Sequence, residues 1–348
     1  MNSIFKVICI FPFLLFACKS SKSDVNKDIE NTPKVASDFT IAFGSCNKQN
    51  VKNVLWDDIM QQKPNLWIWG GDNIYADTDN METLRTEYNK QLNNEDYKRL
   101  IATTKILGTW DDHDYGLNDG GEEFKMKKES QQMFLNFMGV TKNDERRQKE
   151  GIYHAEEIKT KNGIIKIIVL DTRYFRSRLV KDTESKKRYK PTTDKALTIL
   201  GEIQWQWLKN ELQISNADFN IIVGSIQFLS WEHGFETWGN FPHEVNRLEN
   251  VIANSKAKGV LLLSGDRHIS EFSRKSIEGL SYPLVDFTSS GLTHSYTNFS
   301  GENNKYRVGK VVSEKSYGLL KFNFKDSKIT MEMYADNNKK LNQLIQRY

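Results

Sequence analysis

Short apolar segments that end in clusters of reactive side chains recur through this chain, and they constrain its fold more than any other feature. Five of these segments predict buried strands, and predicted helices separate several of them. Their polar ends are Ser45-Cys46-Asn47, Gly70–Tyr75, Trp110–Asp114, Asp171–Arg173 and Gly265–His268. Strands that alternate with helices predict an α/β fold, in which the carboxyl ends of the strands face one crevice. We therefore expect the five clusters to converge on one site.

Hydrophobic periodicity and turn residues give the expected elements. Helices are predicted at 51–62, 81–101, 122–138, 201–212 and 242–253, and strands at 39–43, 66–69, 151–158, 164–170, 219–223 and 260–264. A short strand should lead into Trp110, and Lys161-Asn162-Gly163 predicts a hairpin. The C-terminal part is expected to be mostly β, at 269–276, 285–288, 317–323 and 329–333.

The densest cluster is Thr109–Asp119, which places four aspartates, an asparagine and His113 in one turn-rich segment. Carboxylates and an imidazole delivered by one loop are typical of a metal or acid/base site. A polar loop that caps the next helix is the alternative, since Asp, Asn and Gly favour turns. The other four clusters favour the functional interpretation.

The N-terminus indicates export. Residues 1–17 carry one lysine and then an apolar run, which predicts a signal peptide too short to span a membrane as a mature helix. Leu15-Phe16-Ala17-Cys18 resembles a bacterial lipoprotein box, so Cys18 is expected to carry lipid and anchor the protein to a membrane, on the periplasmic side or the cell surface. An ordinary signal peptide cleaved nearby is the alternative. Residues 18–37 are polar and predict a flexible tether, which leaves residues 38–348 as a single catalytic domain.

Cysteine usage singles out Cys46. Of the three cysteines, Cys9 lies in the signal peptide and Cys18 is the predicted lipid site. Cys46 therefore has no partner for an internal disulfide, although exported proteins meet oxidising conditions. It is either an inert buried thiol or a thiolate ligand on a metal.

Charge argues against a nucleic-acid partner. The chain has 49 Lys and Arg against 45 Asp and Glu, a net charge of +4. The basic residues are dispersed and not clustered on one predicted element. A monomer that acts on a small-molecule, lipid or polymer phosphate ester is expected.

The clusters contain carboxylate, imidazole, thiolate, phenolate and amide donors. This mixed set suits a transition metal such as iron beside a harder cation such as Ca²⁺, Mg²⁺ or Mn²⁺. Arg173 and Arg176 could bind phosphoryl oxygens through their planar guanidinium groups. Two metals with nearby arginines indicate in-line displacement at phosphorus by a metal-bound hydroxide.

In their order along the chain, these motifs resemble the alkaline phosphatase D (PhoD-like) family of the calcineurin-like metallophosphoesterases. The resemblance covers roughly residue 38 to the C-terminus. It implies a four-layer αββα sandwich around a dinuclear or trinuclear site. It also implies that Cys46, Tyr75 and His268 hold Fe³⁺ and that Asp72 bridges to a second ion.

The same resemblance implies that Asp266 and an oxygen from the turn between Asp112 and Asn118 hold the second ion, as Ca²⁺ or another divalent ion such as Mg²⁺, Mn²⁺ or Zn²⁺. His113 stands where the superfamily keeps its general acid. The segment Phe287–His294 looks like a further family motif that supports the ligands. The superfamily's histidine ligand near Ser225 is absent, and Gln227 is the nearest polar candidate.

Two other functions stay open at this point. One is a phospholipase- or sulfatase-like hydrolase that uses the same metals. The other is a non-catalytic surface lipoprotein with a degenerate metal site. Ligand-type or arginine side chains at all five strand ends favour the enzyme.

Overall fold

A computed structural model describes residues 37–348. The predicted signal peptide, the predicted lipid site at Cys18 and all but the last residue of the predicted tether lie outside the described residues. Within residues 37–348, no helix is long and apolar enough to cross a membrane.

Two β-sheets form the centre of the fold. The first has six strands in the order β13-β12-β11-β1-β2-β3, and the second has seven in the order β10-β8-β9-β7-β6-β5-β4. The strands are β1 Phe39–Gly44, β2 Leu66–Gly70, β3 Lys105–Thr109, β4 His154–Lys159, β5 Ile164–Val169, β6 Phe219–Val223, β7 Val260–Ser264, β8 Ser270–Lys275, β9 Leu284–Ser289, β10 Arg307–Val312, β11 Tyr317–Asn323, β12 Lys328–Ala335 and β13 Lys339–Arg347. Strands β1, β2 and β3 are parallel to one another, as are β5, β6, β7 and β9.

Seven α-helices accompany the sheets in the described part of the chain. They are α1 Trp56–Gln61, α2 Met81–Leu92, α3 Glu95–Ile101, α4 Asp112–Tyr115, α5 Lys127–Phe137, α6 Gly201–Gln213 and α7 Pro242–Ala253. Pro242 begins α7, where its fixed φ suits the first helical turn and its missing N–H costs nothing.

Three apolar cores define four layers. The first core lies between the sheets and includes Ile41 and Ile68 from one sheet and Ile167 and Leu263 from the other. A second core packs α1, α2, α3 and α5 against the outer face of the first sheet, and a third packs α6 and α7 against the outer face of the second. This is the predicted αββα sandwich. Trp67, Trp69 and Trp110 are fully buried in the second core, as expected for residues that pack the sheet.

Most elements lie where they were predicted, with three differences. The predicted helix 81–101 is two helices, because the Asn94 side chain accepts a hydrogen bond from the Tyr97 N–H and starts a new helix. Helices α1 and α5 begin at Trp56 and Lys127, each five residues later than expected. The short helix α4 and strands β10 and β13 were not predicted. The hairpin at Lys161-Asn162-Gly163 does join antiparallel strands β4 and β5.

The carboxyl ends of the parallel strands of both sheets meet at one edge. A bridge between Ser45 and Ser290 joins the end of β1 to the end of β9 across the two sheets. The Gly265 N–H donates to the Ser225 carbonyl at 2.8 Å, which ties the ends of β7 and β6 together. The five polar clusters therefore converge as the sequence predicts.

Candidate metal centre

Four predicted metal ligands have left-handed backbone conformations. The φ angles are 60° at Cys46, 50° at Asp72, 67° at Asp266 and 53° at His268. Non-glycine residues rarely adopt positive φ, and such strain is concentrated at functional sites. The backbone is held in these sharp turns by the surrounding sheets, and the turns direct the side chains toward one another.

Cys46, Asp72, Tyr75 and His268 form the first half of the site. The Cys46 Sγ lies 3.3 Å from the Asp72 Oδ2, and the Tyr75 hydroxyl lies 3.1 Å from the same oxygen. The Tyr75 hydroxyl is also 3.1 Å from the His268 Nε2. Ligand atoms of Cys46, Asp72 and His268 all lie within 4.8 Å of one another. One thiol, one phenol, one imidazole and one carboxylate thus surround a common point.

Asp112 and Asp266 form the second half. Ligand atoms of Asp111, Asp112 and Asp266 lie within 4.8 Å of one another, and so do those of Asp72, Asp112 and His113. Asp72 belongs to groups in both halves, which is the position expected of a bridging carboxylate. Asn118 lines the cleft beside Asp112 and His113, and it is exposed.

The buried donors fit a cationic centre. Burial raises the pKa of the Cys46 thiol to about 11 and the pKa values of Asp72 and Asp266 well above their usual range. Asp72 Oδ1 and Asp111 Oδ2 are buried and have no hydrogen-bond partner among the described residues. Buried carboxylates of this kind are expected to be paired or to bind a metal. The donor set combines soft and hard atoms, as a site for two different ions requires.

Asp114 holds the two aspartate loops together. Its Oδ1 accepts the Asp111 N–H at 2.7 Å and the Asp72 N–H at 3.2 Å, and its Oδ2 accepts the Asn73 side-chain amide at 2.6 Å. The Tyr88 hydroxyl donates to the Asp114 carbonyl at 3.1 Å. Asp114 therefore fixes the spacing between the loop after β2 and the loop after β3.

His113 is paired with a residue that the sequence analysis did not identify. Its Nδ1 lies 2.8 Å from both carboxylate oxygens of Asp77. Burial alone would lower the pKa of His113, but the hydrogen bond to Asp77 and the charges of Asp72 and Asp112 outweigh it and raise the pKa to about 10. The imidazole also packs on the Tyr75 ring, with centroids 4.2 Å apart. Asp77 and Tyr75 thus orient His113.

Arg173 and Arg176 lie beneath the site, fully buried. The Arg173 Nε donates to Asp111 Oδ1 at 2.5 Å, and its Nη1 donates to Glu236 Oε2 at 2.6 Å. The Arg176 Nε lies 3.0 Å from Glu236 Oε1, and its Nη2 donates to the Asp119 carbonyl at 2.5 Å. Direct binding of a phosphoryl oxygen by these arginines stays a prediction. Their contacts favour a positioning role, in which they neutralise and hold Asp111 and Glu236.

The Phe287–His294 segment contacts the predicted ligands through Ser290, whereas Gln227 bonds other residues. The Gln227 amide donates to Glu271 Oε1 at 2.8 Å and to Thr288 Oγ1 at 2.9 Å, whereas Ser225 contacts Asp111, at 2.7 Å. Ser290 Oγ lies 3.0 Å from the Cys46 Sγ and accepts the His268 N–H at 2.8 Å. The Ser290 hydroxyl thus contacts two of the predicted iron ligands.

Known proteins resemble this chain in both sequence and fold. The profile of the family described as PhoD-like phosphatase matches residues 41–323. The chain belongs to the PhoD-like phosphatase family. Alkaline phosphatase D of Bacillus subtilis is 32% identical over 114 residues, which are 29% of this chain and 19% of that protein. The aligned part therefore spans about a fifth of the length of this curated relative.

Solved structures agree with the PhoD-like fold. The structure of PhoD superposes with a TM-score of 0.70 at 19% identity, covering 88% of this chain and 68% of that one. A dimetal phosphatase from Danio rerio gives 0.51 at 12% identity, covering 90% of this chain and all of its own length (100%). GAP50, an anchor in the inner membrane complex of Plasmodium, gives 0.57 at 12% identity, covering 89% and 88%. At these identities the likeness concerns the fold.

Three residues that matter to this PhoD-like site escaped the sequence analysis as site residues. They are Asp77, which orients His113, Asp114, which joins two loops, and Glu236, which receives both buried arginines. Asp114 lies within the Thr109–Asp119 cluster that the sequence analysis recognised. Only the structure shows that its side chain accepts N–H groups from two separate loops. Asp77 and Glu236 lie in polar loops, and no motif distinguishes them there.

Proposed function

We propose that this protein is an exported, metal-dependent phosphoesterase that hydrolyses phosphomonoesters or phosphodiesters. The observation that carries the proposal is the convergence of Cys46, Asp72, Tyr75 and His268 around one point, with Asp112 and Asp266 beside it. Membership of the PhoD-like phosphatase family supports the reaction class. The apolar N-terminus and the segment that ends in Cys18 support export and lipid anchoring.

In this proposal, Cys46, Tyr75 and His268 would hold iron, Asp72 would be shared, and Asp112, Asp266 and an Asn118 oxygen would hold a divalent ion such as Ca²⁺. Metals bound by these residues would supply positive charge to polarise the phosphoryl group and to activate water. His113 protonates the departing alkoxide from its place on the cleft wall. Arg173 and Arg176 keep Asp111 and Glu236 in place, and Asp77 keeps the imidazole oriented.

Elemental analysis and a substrate panel test the proposal together. Purified protein should contain metal and hydrolyse nitrophenyl phosphate, bis(nitrophenyl) phosphate or both. Asp72→Asn should lose metal and at least roughly a hundredfold in rate, the scale of losing a key ligand or its support. Asp58→Asn is the matched control. Asp58 is a buried carboxylate of α1 that accepts a hydrogen bond from the Asn338 side chain, and it belongs to none of the candidate ligand groups. Near-native turnover by Asp72→Asn would sink the proposal.

Visible absorption tests the proposal that Cys46 binds iron as a thiolate. Iron bound to thiolate and phenolate absorbs visible light, so the protein should be coloured. Cys46→Ser should change the colour and lower the iron content, because a neutral serine hydroxyl is a poorer ligand than an anionic thiolate. Unchanged colour, metal content and turnover would leave Cys46 a structural thiol.

A further inference from the structure

Two aromatic side chains at the cleft are more exposed than any other Phe, Tyr or Trp in residues 37–348. Phe235 is 41% exposed and Tyr296 is 47% exposed. Both line the cleft that contains Asp112, His113 and His268. Large exposed apolar groups that gather at one place mark binding surfaces more often than groups scattered singly.

Both rings are attached to well-anchored backbone. The Tyr296 N–H donates to the His268 carbonyl at 2.7 Å, and the Ser295 hydroxyl donates to the same carbonyl at 2.8 Å. Phe235 directly precedes Glu236, which is buried between the two arginines. The two rings therefore lie on segments that are anchored to His268 and to the two buried arginines.

The charges at the cleft mouth are already balanced. Arg267 donates to Glu302 at 2.8 Å, and Arg188 pairs with Asp119 at 2.7 Å. A second anionic group on the substrate would have to displace one of these carboxylates. The surfaces still free to bind are the exposed ring faces, and the Arg267 guanidinium already packs against Phe235, 4.3 Å from its ring centroid. Flat groups of this kind stack on planar rings.

The geometry points to a planar-ring subsite, formed by Phe235, Tyr296 and Arg267, that binds the alcohol portion of the ester. The preferred substrates are then nucleoside or aryl phosphates, whose scissile phosphoryl group reaches the metal centre while the ring stacks at the mouth. The cavity of about 430 Å³ is within the size range of small-ligand pockets. This inference deepens the proposed function and rests on it.

Adenosine 5′-monophosphate and ribose 5-phosphate provide a matched pair of test substrates. Both release a primary alkoxide, so the chemical step is alike and only the base differs. The protein should have a lower KM for the nucleotide. Phe235→Leu and Tyr296→Leu should each raise that KM roughly fivefold or more, the lower end of the range for losing a base-stacking partner. The KM for ribose 5-phosphate should stay unchanged.

Ile214→Ala is the control variant, because Ile214 is 58% exposed near the end of α6 and does not line the cleft. Naphthyl phosphate and hexyl phosphate complete the panel. If Phe235→Leu and Tyr296→Leu raise the KM for both the nucleotide and naphthyl phosphate, the subsite accepts any planar ring. If they raise the KM for the nucleotide alone, the subsite is specific for a nucleoside. An equal rise in the KM for hexyl phosphate, or equal KM values of the parent protein for the nucleotide and ribose 5-phosphate, would overturn the subsite.

Failure of the proposed function can be distinguished from failure of the planar-ring subsite. If no ester is hydrolysed, the phosphoesterase proposal fails, and calorimetric titration with adenosine and ribose then tests the subsite without turnover. Adenosine should bind more tightly than ribose, and Phe235→Leu should remove the difference. Equal binding of the two would overturn the planar-ring subsite.

Discussion

At His113, two contacts fix the imidazole before any substrate arrives. Nδ1 is held by both oxygens of Asp77, and the ring packs against Tyr75. Nε2 is therefore the nitrogen that can serve the leaving group. Histidine is well suited to protonating an alkoxide near neutral pH, and a positioned acid contributes roughly 10²–10⁴ in rate.

A general acid is needed only when the leaving group is poor. His113→Gln should therefore slow alkyl phosphate esters by roughly a hundredfold or more and nitrophenyl esters far less, with metal content intact. Steady-state kinetics on both ester types, with elemental analysis, measure this difference. Equal losses on both would show that His113 is a metal ligand or a phosphate-positioning group instead.

Substitution of Asp77 should reproduce part of the His113→Gln effect, because Asp77 acts only by orienting His113. Asp77→Asn keeps the size of the side chain but removes the charge that holds Nδ1, so alkyl esters should lose on the order of tenfold, the lower end of the range for losing a supporting hydrogen bond. Nitrophenyl turnover and metal content should remain. A variant that behaves like the parent protein on alkyl esters would remove Asp77 from the mechanism.

At the scale of elements, the apolar strands of the parallel sheets could be predicted because their side chains are buried on both faces. Strand β13 could not, because it is an edge strand whose exposed and half-buried residues are mostly polar. The helix break at Asn94 depends on one capping hydrogen bond.

The convergence of the predicted ligands could be predicted, because they lie at the carboxyl ends of parallel strands, which meet at one edge. The partners of Arg173 could not be foreseen, because Asp111 and Glu236 are remote from it in sequence.

Strand β4 offers a pH-dependent test through His154. Burial, together with nearby Arg146, lowers the pKa of His154 to about 4, and its Nε2 has no partner within the described chain. The unfolded chain takes up this proton near pH 6.5 and the folded protein does not, so stability falls as pH drops below that value. Between pH 7 and pH 5, His154 should cost roughly 2 kcal/mol.

Urea unfolding at several pH values checks this expectation. His154→Gln cannot gain that proton, so its free energy of unfolding should fall less between pH 7 and pH 5 than that of the parent protein. Parallel pH profiles for the two proteins would mean that His154 is solvated in the native state.

At the scale of the whole molecule, Gly265 lies where the two sheets are in close contact beside the site. A Cβ there would lie 2.5 Å from the Ser45 Oγ and 2.6 Å from the Gly70 carbonyl oxygen, both of the first sheet. Gly265→Ala should force the sheet ends apart, costing roughly 1–3 kcal/mol and weakening metal binding. Unfolding and metal titration measure the two effects.

Gly224 provides the comparison, since it directly follows β6 of the same sheet. Its nearest neighbour to an added Cβ lies at 3.9 Å, so Gly224→Ala should be tolerated. Equal behaviour of the two variants would show that the sheets can separate at Gly265 without consequence for the site.

The left-handed backbone at Cys46, Asp72, Asp266 and His268 also sets a trade-off for protein engineering. Each such conformation costs a non-glycine residue about 1–2 kcal/mol, and glycine escapes that cost. The chain thus gives up thermal stability at the positions that are predicted to bind ions. Selection for heat resistance alone would favour glycine there and yield a sturdier protein with an empty, inactive cleft.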